Sequence, residues 1–289
     1  MVRQDPIQQI SNAADRIKMV HEMLTPMNQK APTRTFFIGG NFKSNLNKDS
    51  LKELVPVIAK HQTAADVVIA PPALYLLEAQ SIVEANNSKV KVAAQNISGK
   101  SLGAYTGEIA AEHVLDAGIE WTLLGHSERR SIYCESDEVV AAKTVDALQK
   151  GLSVILCCGE TEHQRFVENR TKEVVTGQLG AVHKALEAAN LVDKWSKIVI
   201  AYEPVWAIGT GKTASTQQAQ DTHLEIRNWL TTISQSVADA TRILYGGSVS
   251  AANSDELAKQ ADIDGFLVGG ASLSAQKFLP IIDSAKYSQ

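Results

Sequence analysis

A carboxylate set between an apolar run and a proline is the most chemically pointed feature of this 289-residue sequence. Glu203 stands in Tyr202-Glu203-Pro204-Val205-Trp206-Ala207-Ile208-Gly209-Thr210-Gly211-Lys212-Thr213, directly after the apolar run Ile198–Ala201. A carboxylate at the end of a buried strand is partly desolvated, which makes it a stronger base than an exposed one. Residues 204–214 are rich in Gly and Thr between stiffer ends, the composition of a hinged lid. Gly209–Thr213 superficially matches a nucleotide P-loop. The full spacing, two glycines separated by four residues before Lys-Ser/Thr, is not there, and ATP binding is set aside.

Other polar residues sit where apolar runs end. Gly39-Gly40-Asn41-Phe42-Lys43 offers a lysine that could hold an anion or steady a developing negative charge; the alternative is a solvated surface lysine. Gly125-His126-Ser127-Glu128 offers a histidine at a helix start. A helix N-terminus disfavours an imidazolium, so a neutral imidazole donor is expected, against the plainer reading of a satisfied core histidine. Gly246-Gly247-Ser248 and Gly269-Gly270-Ala271-Ser272 would let backbone N–H groups approach a phosphate; two ordinary turns are the alternative.

The elements that must position these groups follow from periodicity. Eight short apolar runs occur: Phe36–Gly39, Val67–Ala70, Val90–Ala94, Trp121–Leu124, Val154–Cys157, Ile198–Ala201, Ile243–Tyr245 and Gly265–Val268. Runs apolar throughout are what parallel strands buried on both faces require. Amphipathic stretches lie between them. Residues 49–61 carry Leu51, Leu54, Val55 and Ile58, with Asp49 and Ser50 as cap candidates. Residues 137–150 carry Val139, Val140, Val145 and Leu148 and end at Gly151, and residues 215–233 carry Leu224, Ile226, Leu230 and Ile233. Strict alternation predicts an α/β fold with right-handed crossovers, closing as a (β/α)8 barrel over residues 34–289; an open doubly wound sheet is the other architecture. In such a barrel chemistry sits at the C-terminal strand ends, and phosphate frequently binds after strands seven and eight.

Composition narrows the class. Hydrophobic residues make up 44% and the net charge is −4. No basic stripe for nucleic acid is visible, and no apolar run would span a membrane. Cys134, Cys157 and Cys158 cannot all pair with one another, and their spacing offers no metal site; reduced thiols in a cytosol-like compartment are expected. Residues 1–33 form an extension. Ile7, Ile10, Ala14, Ile17 and Leu24 predict an amphipathic helix there, ended by Pro26 and Pro32. The extension is either loosely held or serves targeting or docking.

Over residues 35–285 the sequence closely resembles the triosephosphate isomerase family. Ala201–Lys212 matches the family signature without a break. Asn41-Phe42-Lys43, Gln95-Asn96, Gly107-Glu108, Leu124–Arg130, Cys158-Gly159-Glu160, Tyr245–Ser248 and Val268–Leu273 fall in family order. The resemblance implies a TIM barrel, without cofactor or metal, interconverting D-glyceraldehyde 3-phosphate and dihydroxyacetone phosphate through an enediolate, in glycolysis and gluconeogenesis. It implies Glu203 as the base and His126 as a neutral electrophile, with Lys43 and Asn41 stabilising charge. Gly209, Ser248, Gly269 and Gly270 would hold phosphate, while Glu128 and Ser127 stand behind. A homodimer is implied, with Thr106 of the loop Gly103–Glu108 near the partner's site. Cys134 departs from the family glycine and either offers an oxidisable or alkylatable thiol or merely fills a gap. A cytoplasmic location is expected, or an organellar one if residues 1–33 target the chain. Two readings compete: a barrel for another sugar phosphate, which the complete Glu203 segment opposes, and a non-catalytic scaffold, which Lys43, His126 and Glu203 together oppose.

Overall fold

A computed structural model describes residues 34–209 and 213–288. The extension 1–33, with its expected helix, and Thr210–Lys212 of the expected lid lie outside the described residues. The strands are β1 (Phe37–Asn41), β2 (Asp66–Ala70), β3 (Lys91–Ala94), β4 (Trp121–Leu124), β5 (Ser153–Cys158), β6 (Ile198–Tyr202), β7 (Ile243–Tyr245) and β8 (Gly265–Val268). They pair in sequence order, and β1 also pairs with β8, so the sheet is a closed parallel barrel and not an open one. In the described part the helices are α1 (Lys48–Lys60), α2 (Leu76–Ala85), α3 (Ala111–Asp116), α4 (Ser127–Ile132), α5 (Asp137–Lys150), α6 (Glu162–Phe166), α7 (Thr171–Ala188), α8 (Thr216–Thr231), α9 (Gln235–Ala240), α10 (Ser254–Ala258) and α11 (Ala275–Asp283).

Alternation along each strand divides the core in two. Phe37, Val68, Ala93, Leu123, Ile155, Cys157, Val199, Leu244 and Leu267 pack together inside the barrel. Ile38, Ile69, Val92, Leu124, Val154, Leu156, Cys158 and Ile200 face outward into the layer shared with the helices. Adjacent Cys157 and Cys158 thus lie on opposite faces, as period-two geometry requires.

The helices follow the apolar stripes with local corrections. Leu51, Leu54, Val55 and Ile58 of α1 are buried, but the cap is Asn47, whose side chain accepts from the Ser50 N–H while the Ser50 hydroxyl accepts from the Asn47 N–H. Gly151 ends α5 at φ 107°, a left-handed conformation that glycine adopts without strain. Val139 and Leu224, expected on buried faces, are exposed, because the stripe that meets the barrel is carried by Val140, Ala147 and Leu148 in α5 and by Ile226 and Leu230 in α8.

At the N-terminal end of the barrel, buried Asp264 accepts from Arg34 Nε (2.7 Å), Arg227 Nη2 (2.6 Å) and the Ile243 N–H (2.9 Å). Arg227 also donates to the carbonyls of Ala238 and Thr241. Such a carboxylate has its charge matched and its lone pairs used, the condition under which a buried ion is tolerated. The network joins the entry to β1 to the entries of β7 and β8, away from the strand ends that carry chemistry.

His223 of α8 is fully buried against the rings of Tyr202 and Tyr245, with Nδ1 2.7 Å from the Ala219 carbonyl oxygen. Burial pushes its pKa down from 6.5 to about 4. The unfolded chain binds the proton first, so the stability from the neutral ring is present above pH 6.5 and lost as pH falls towards 4, by up to about 3 kcal/mol. Urea midpoints of the parent and His223→Gln at pH 7 and pH 4.5 check this. The parent's loss of stability on acidification is expected to exceed the variant's, whereas parallel losses would place the acid sensitivity elsewhere.

Candidate active site

The C-terminal strand ends enclose a cleft of about 430 Å³ lined by Asn41, Lys43, His126, Glu203, Gly209, Ser248, Gly269 and Gly270 among others. All eight were singled out in the sequence. β1 delivers Asn41 and Lys43, β4 His126, β6 Glu203, and the turns after β7 and β8 supply the glycine-rich wall.

Glu203 is 2% exposed. Its Oε1 lies 2.9 Å from His126 Nε2, and its Oε2 accepts from the Ser127 N–H at 2.9 Å. Burial works against the ionised form, but His126, the Ser127 N–H and Lys43 more than offset it and hold the carboxyl below its ordinary range. The Glu203 N–H donates to the Cys158 carbonyl at 2.7 Å, which fixes the residue at the rim of β5.

His126 caps α4 with its own ring, as Nδ1 accepts from the Glu128 N–H at 3.2 Å. That bond requires a lone pair on Nδ1 and assigns the proton to Nε2, facing Glu203. Burial opposes an imidazolium here; the Glu203 carboxylate outweighs it, and the net displacement of the His126 pKa is upward. The helix-start argument favoured a neutral ring. The opposing pull comes from Glu203, so it departs whenever that carboxylate turns away.

Lys43 has a left-handed backbone, φ 51°. Its N–H donates to Asn41 Oδ1 at 3.0 Å, and its carbonyl accepts from Gln95 Nε2 at 2.7 Å. Gln95 donates also to the Ala70 carbonyl at 2.8 Å, tying β2 to this turn. The ammonium reaches Glu128 Oε1 at 2.6 Å. Glu128 and Ser127 therefore sit behind the cleft, one on Lys43 and the other on Glu203. Thr106 does not join them: it lies on the exposed loop after β3 and does not line the cleft.

Part of the site has no role assigned by the sequence, Gln95 and Glu160 standing there only within family motifs. Gln95 stands just past β3, where the strand-end rule would have found it. Asn45, Val249 and Leu267 also line the cleft; they are ordinary loop or strand residues without a chemical signal. Glu160 is fully buried, and its Oε1 accepts from Tyr202 Oη (3.0 Å), Trp206 Nε1 (3.1 Å) and Arg165 (3.0 Å). It straps the turn Val205–Ala207 to β5.

A sequence model of the triosephosphate isomerase family matches residues 36–285. The chain belongs to that family. It is similar to the triosephosphate isomerase of Coprinopsis cinerea, 54% identical over 258 residues, which are 88% of this chain and 99% of that protein. The Emericella nidulans triosephosphate isomerase is 51% identical over 254 residues, 87% of this chain and 98% of its own. The enzyme of Entamoeba histolytica is 49% identical over 259 residues, with 87% and 97% covered. The family match, residues 36–285, spans all eight strands of the barrel.

One glycine has no freedom to change. A Cβ on Gly159 would fall 1.7 Å from the Glu203 carbonyl oxygen. Gly159→Ala is expected to displace Glu203 and to cost about 1–3 kcal/mol of stability, the usual range for overpacking. A crystal structure with an unmoved Glu203 and an unchanged urea midpoint would contradict the close fit.

Proposed function

We propose that this cleft isomerises triose phosphates with Glu203 as the base. As a member of its family the chain interconverts D-glyceraldehyde 3-phosphate and dihydroxyacetone phosphate. The observation that carries the residue assignment is the buried Glu203 carboxylate on His126 Nε2, in one cleft with Lys43. From the ketone, Glu203 takes a proton from C1, the C–H electrons form the C1–C2 double bond, and charge flows to the C2 oxygen. The Nε2–H of His126 hydrogen-bonds that oxygen and relays the hydroxyl proton between the two oxygens. Glu203 then returns its proton to C2. Electrons and protons balance within the substrate, so the reaction needs no redox partner.

The hydrogen bonds made by Glu203 support a gain in basicity during turnover. Its donors are the His126 ring, the Ser127 N–H and, at 3.5 Å, the Ser127 hydroxyl. When His126 turns its proton to the substrate oxygen and Glu203 leaves Ser127, the carboxylate loses them and stays desolvated. Burial then dominates and its proton affinity rises. Lys43 and the side chain of Asn41 face the developing enediolate, while the backbone N–H groups of Gly209, Gly269 and Gly270, with Ser248, fit the phosphate. An enediolate phosphate can expel phosphate in water. Closing residues 204–214 over the cleft would exclude that water.

We assign a homodimer as the working form. Leu74, Leu77, Leu102, Tyr105, Ile132 and Tyr133 are exposed in the segments that follow β2, β3 and β4. Exposed apolar residues after three neighbouring strands favour a second copy as their cover, and Thr106 lies in the segment after β3. Among the described residues no helix is long and apolar enough to cross a membrane. The compartment we assign is the cytoplasm.

Glu203→Gln keeps size and loses basicity. It is expected to lower kcat by about a hundred- to ten-thousandfold with an unchanged fold. A coupled assay of both directions checks this, and turnover near that of the parent would remove Glu203 from the role of base.

A further inference from the structure

The connections that lead into β2 and β3 lie side by side at the N-terminal end of the barrel, because those two strands pair. Between them is a cavity of about 410 Å³, nearly as large as the catalytic cleft, lined by the ends of α1 and α2 and by the residues that follow each. Lys60 and Lys89 stand in its wall. Neither ammonium has a hydrogen-bond acceptor or a paired carboxylate among the described residues.

A lysine in the last turn of a helix ordinarily serves the free carbonyls there. Here those carbonyls are occupied. The Ile58 carbonyl accepts from the His61 N–H (3.1 Å), that of Ala59 from the Ser88 hydroxyl (2.6 Å) and that of Lys60 from Gln62 Nε2 (3.4 Å). At the end of α2 the carbonyls of Ile82, Val83 and Glu84 accept from the N–H groups of Asn86, Ser88 and Asn87. The acids nearby are committed as well: Asp66 pairs with Arg242 at 2.5 Å, and Asp283 with His61 at 2.8 Å. The donors are not. The backbone N–H groups of Gln62, Thr63, Ala64 and Lys89 have no acceptor among the described residues. Thr63 Oγ1 accepts from the Ala65 N–H and keeps its own proton to donate. Water can serve any one such donor. Donors left over around one cavity, with its acceptors used and two positive charges uncompensated, are the complement of an oxyanion.

We propose that this cavity is a second anion site, separate from the catalytic cleft, which takes a phosphate group either free or as the head of a small monoester. Lys60 and Lys89 supply charge from the two connections, and the N–H groups of residues 62–64 and of Lys89 supply directed bonds. The cavity is larger than one phosphate, with room for the short polar chain of a monoester. A ligand here bridges the entries to β2 and β3. It binds the folded chain and therefore raises thermal stability. It lies at the opposite end of the strands from Glu203 and touches no residue of the reaction.

The test titrates full-length, nitrogen-labelled protein with inorganic phosphate and, separately, with glycerol 3-phosphate, following the amide NMR signals residue by residue. Gly269 and Gly270 report the catalytic cleft; Gln62, Thr63, Ala64 and Lys89 report the cavity. Saturable shifts are expected in the second group, with Kd weakened by at least about tenfold when Lys60→Gln and Lys89→Gln are combined. Combining Lys172→Gln and Lys184→Gln removes the same charge from exposed positions on α7 and is expected to keep the parent's Kd. Unchanged titration of Gly269 and Gly270 shows that both double variants fold. A thermal scan in phosphate is expected to raise Tm more in the parent than in the Lys60, Lys89 variant. Tighter binding of glycerol 3-phosphate than of phosphate at the cavity identifies a monoester as the occupant, and the reverse order a free phosphate. Shifts that grow without saturating mean an adventitious ion only and overturn the proposal, as does an equal Kd in the two double variants.

Discussion

The structure depends on keeping one negative charge, that of Glu203, out of water and usable. A buried carboxylate is unstable unless its lone pairs are taken, and taking them weakens it as a base. Here the donors are the His126 Nε2–H and the N–H and hydroxyl of Ser127, all from the first residues past β4. These donors can be withdrawn: one ring can turn to a substrate oxygen, and the carboxylate can swing off a backbone amide. On the proposed mechanism the charge is stabilised at rest and exposed to its own burial during reaction.

Much of the remaining architecture serves that switch. The barrel places β4, β5 and β6 side by side, so His126, Gly159 and Glu203 meet at one rim, and Gly159 admits the Glu203 backbone only because it has no Cβ. Opposite, β1 and β8 set Lys43 against the glycine wall, and the left-handed backbone of Lys43 is pinned by Asn41 and Gln95. The ion network of Arg34, Arg227 and Asp264 ties the other end of the barrel. Stability and chemistry are thus separated along the strand direction, as barrels generally arrange them.

Strand positions were legible because strands buried on both faces must be apolar throughout, and Trp121–Leu124 and Ile243–Tyr245 fall where the runs predict. Closure was not legible, since periodicity cannot distinguish a barrel from an open sheet; the β1–β8 pairing decides it. Glu203, His126 and Lys43 could be found because polar residues at strand ends stand out. Gln95 stands at a strand end and, like Glu160, falls within a family motif, but each acts through other residues, so neither carries a chemical role of its own in the sequence. Val139 and Leu224 misled because an apolar stripe on a helix is wider than the strip that touches the barrel. The direction of the His126 pKa lay beyond a reading of its own helix, because the group that sets it comes from β6, far along the chain.

The most direct measurement is the pH titration of the Glu203 carboxyl by carbon NMR of labelled protein, assigned with Glu203→Gln, free and saturated with glycerol 3-phosphate. A pKa below the ordinary 4.5 in the free protein that rises on binding is the predicted result. A Glu203 pKa above 4.5 in the free protein, or one that binding leaves unmoved, would contradict a base held in reserve by His126 and Ser127.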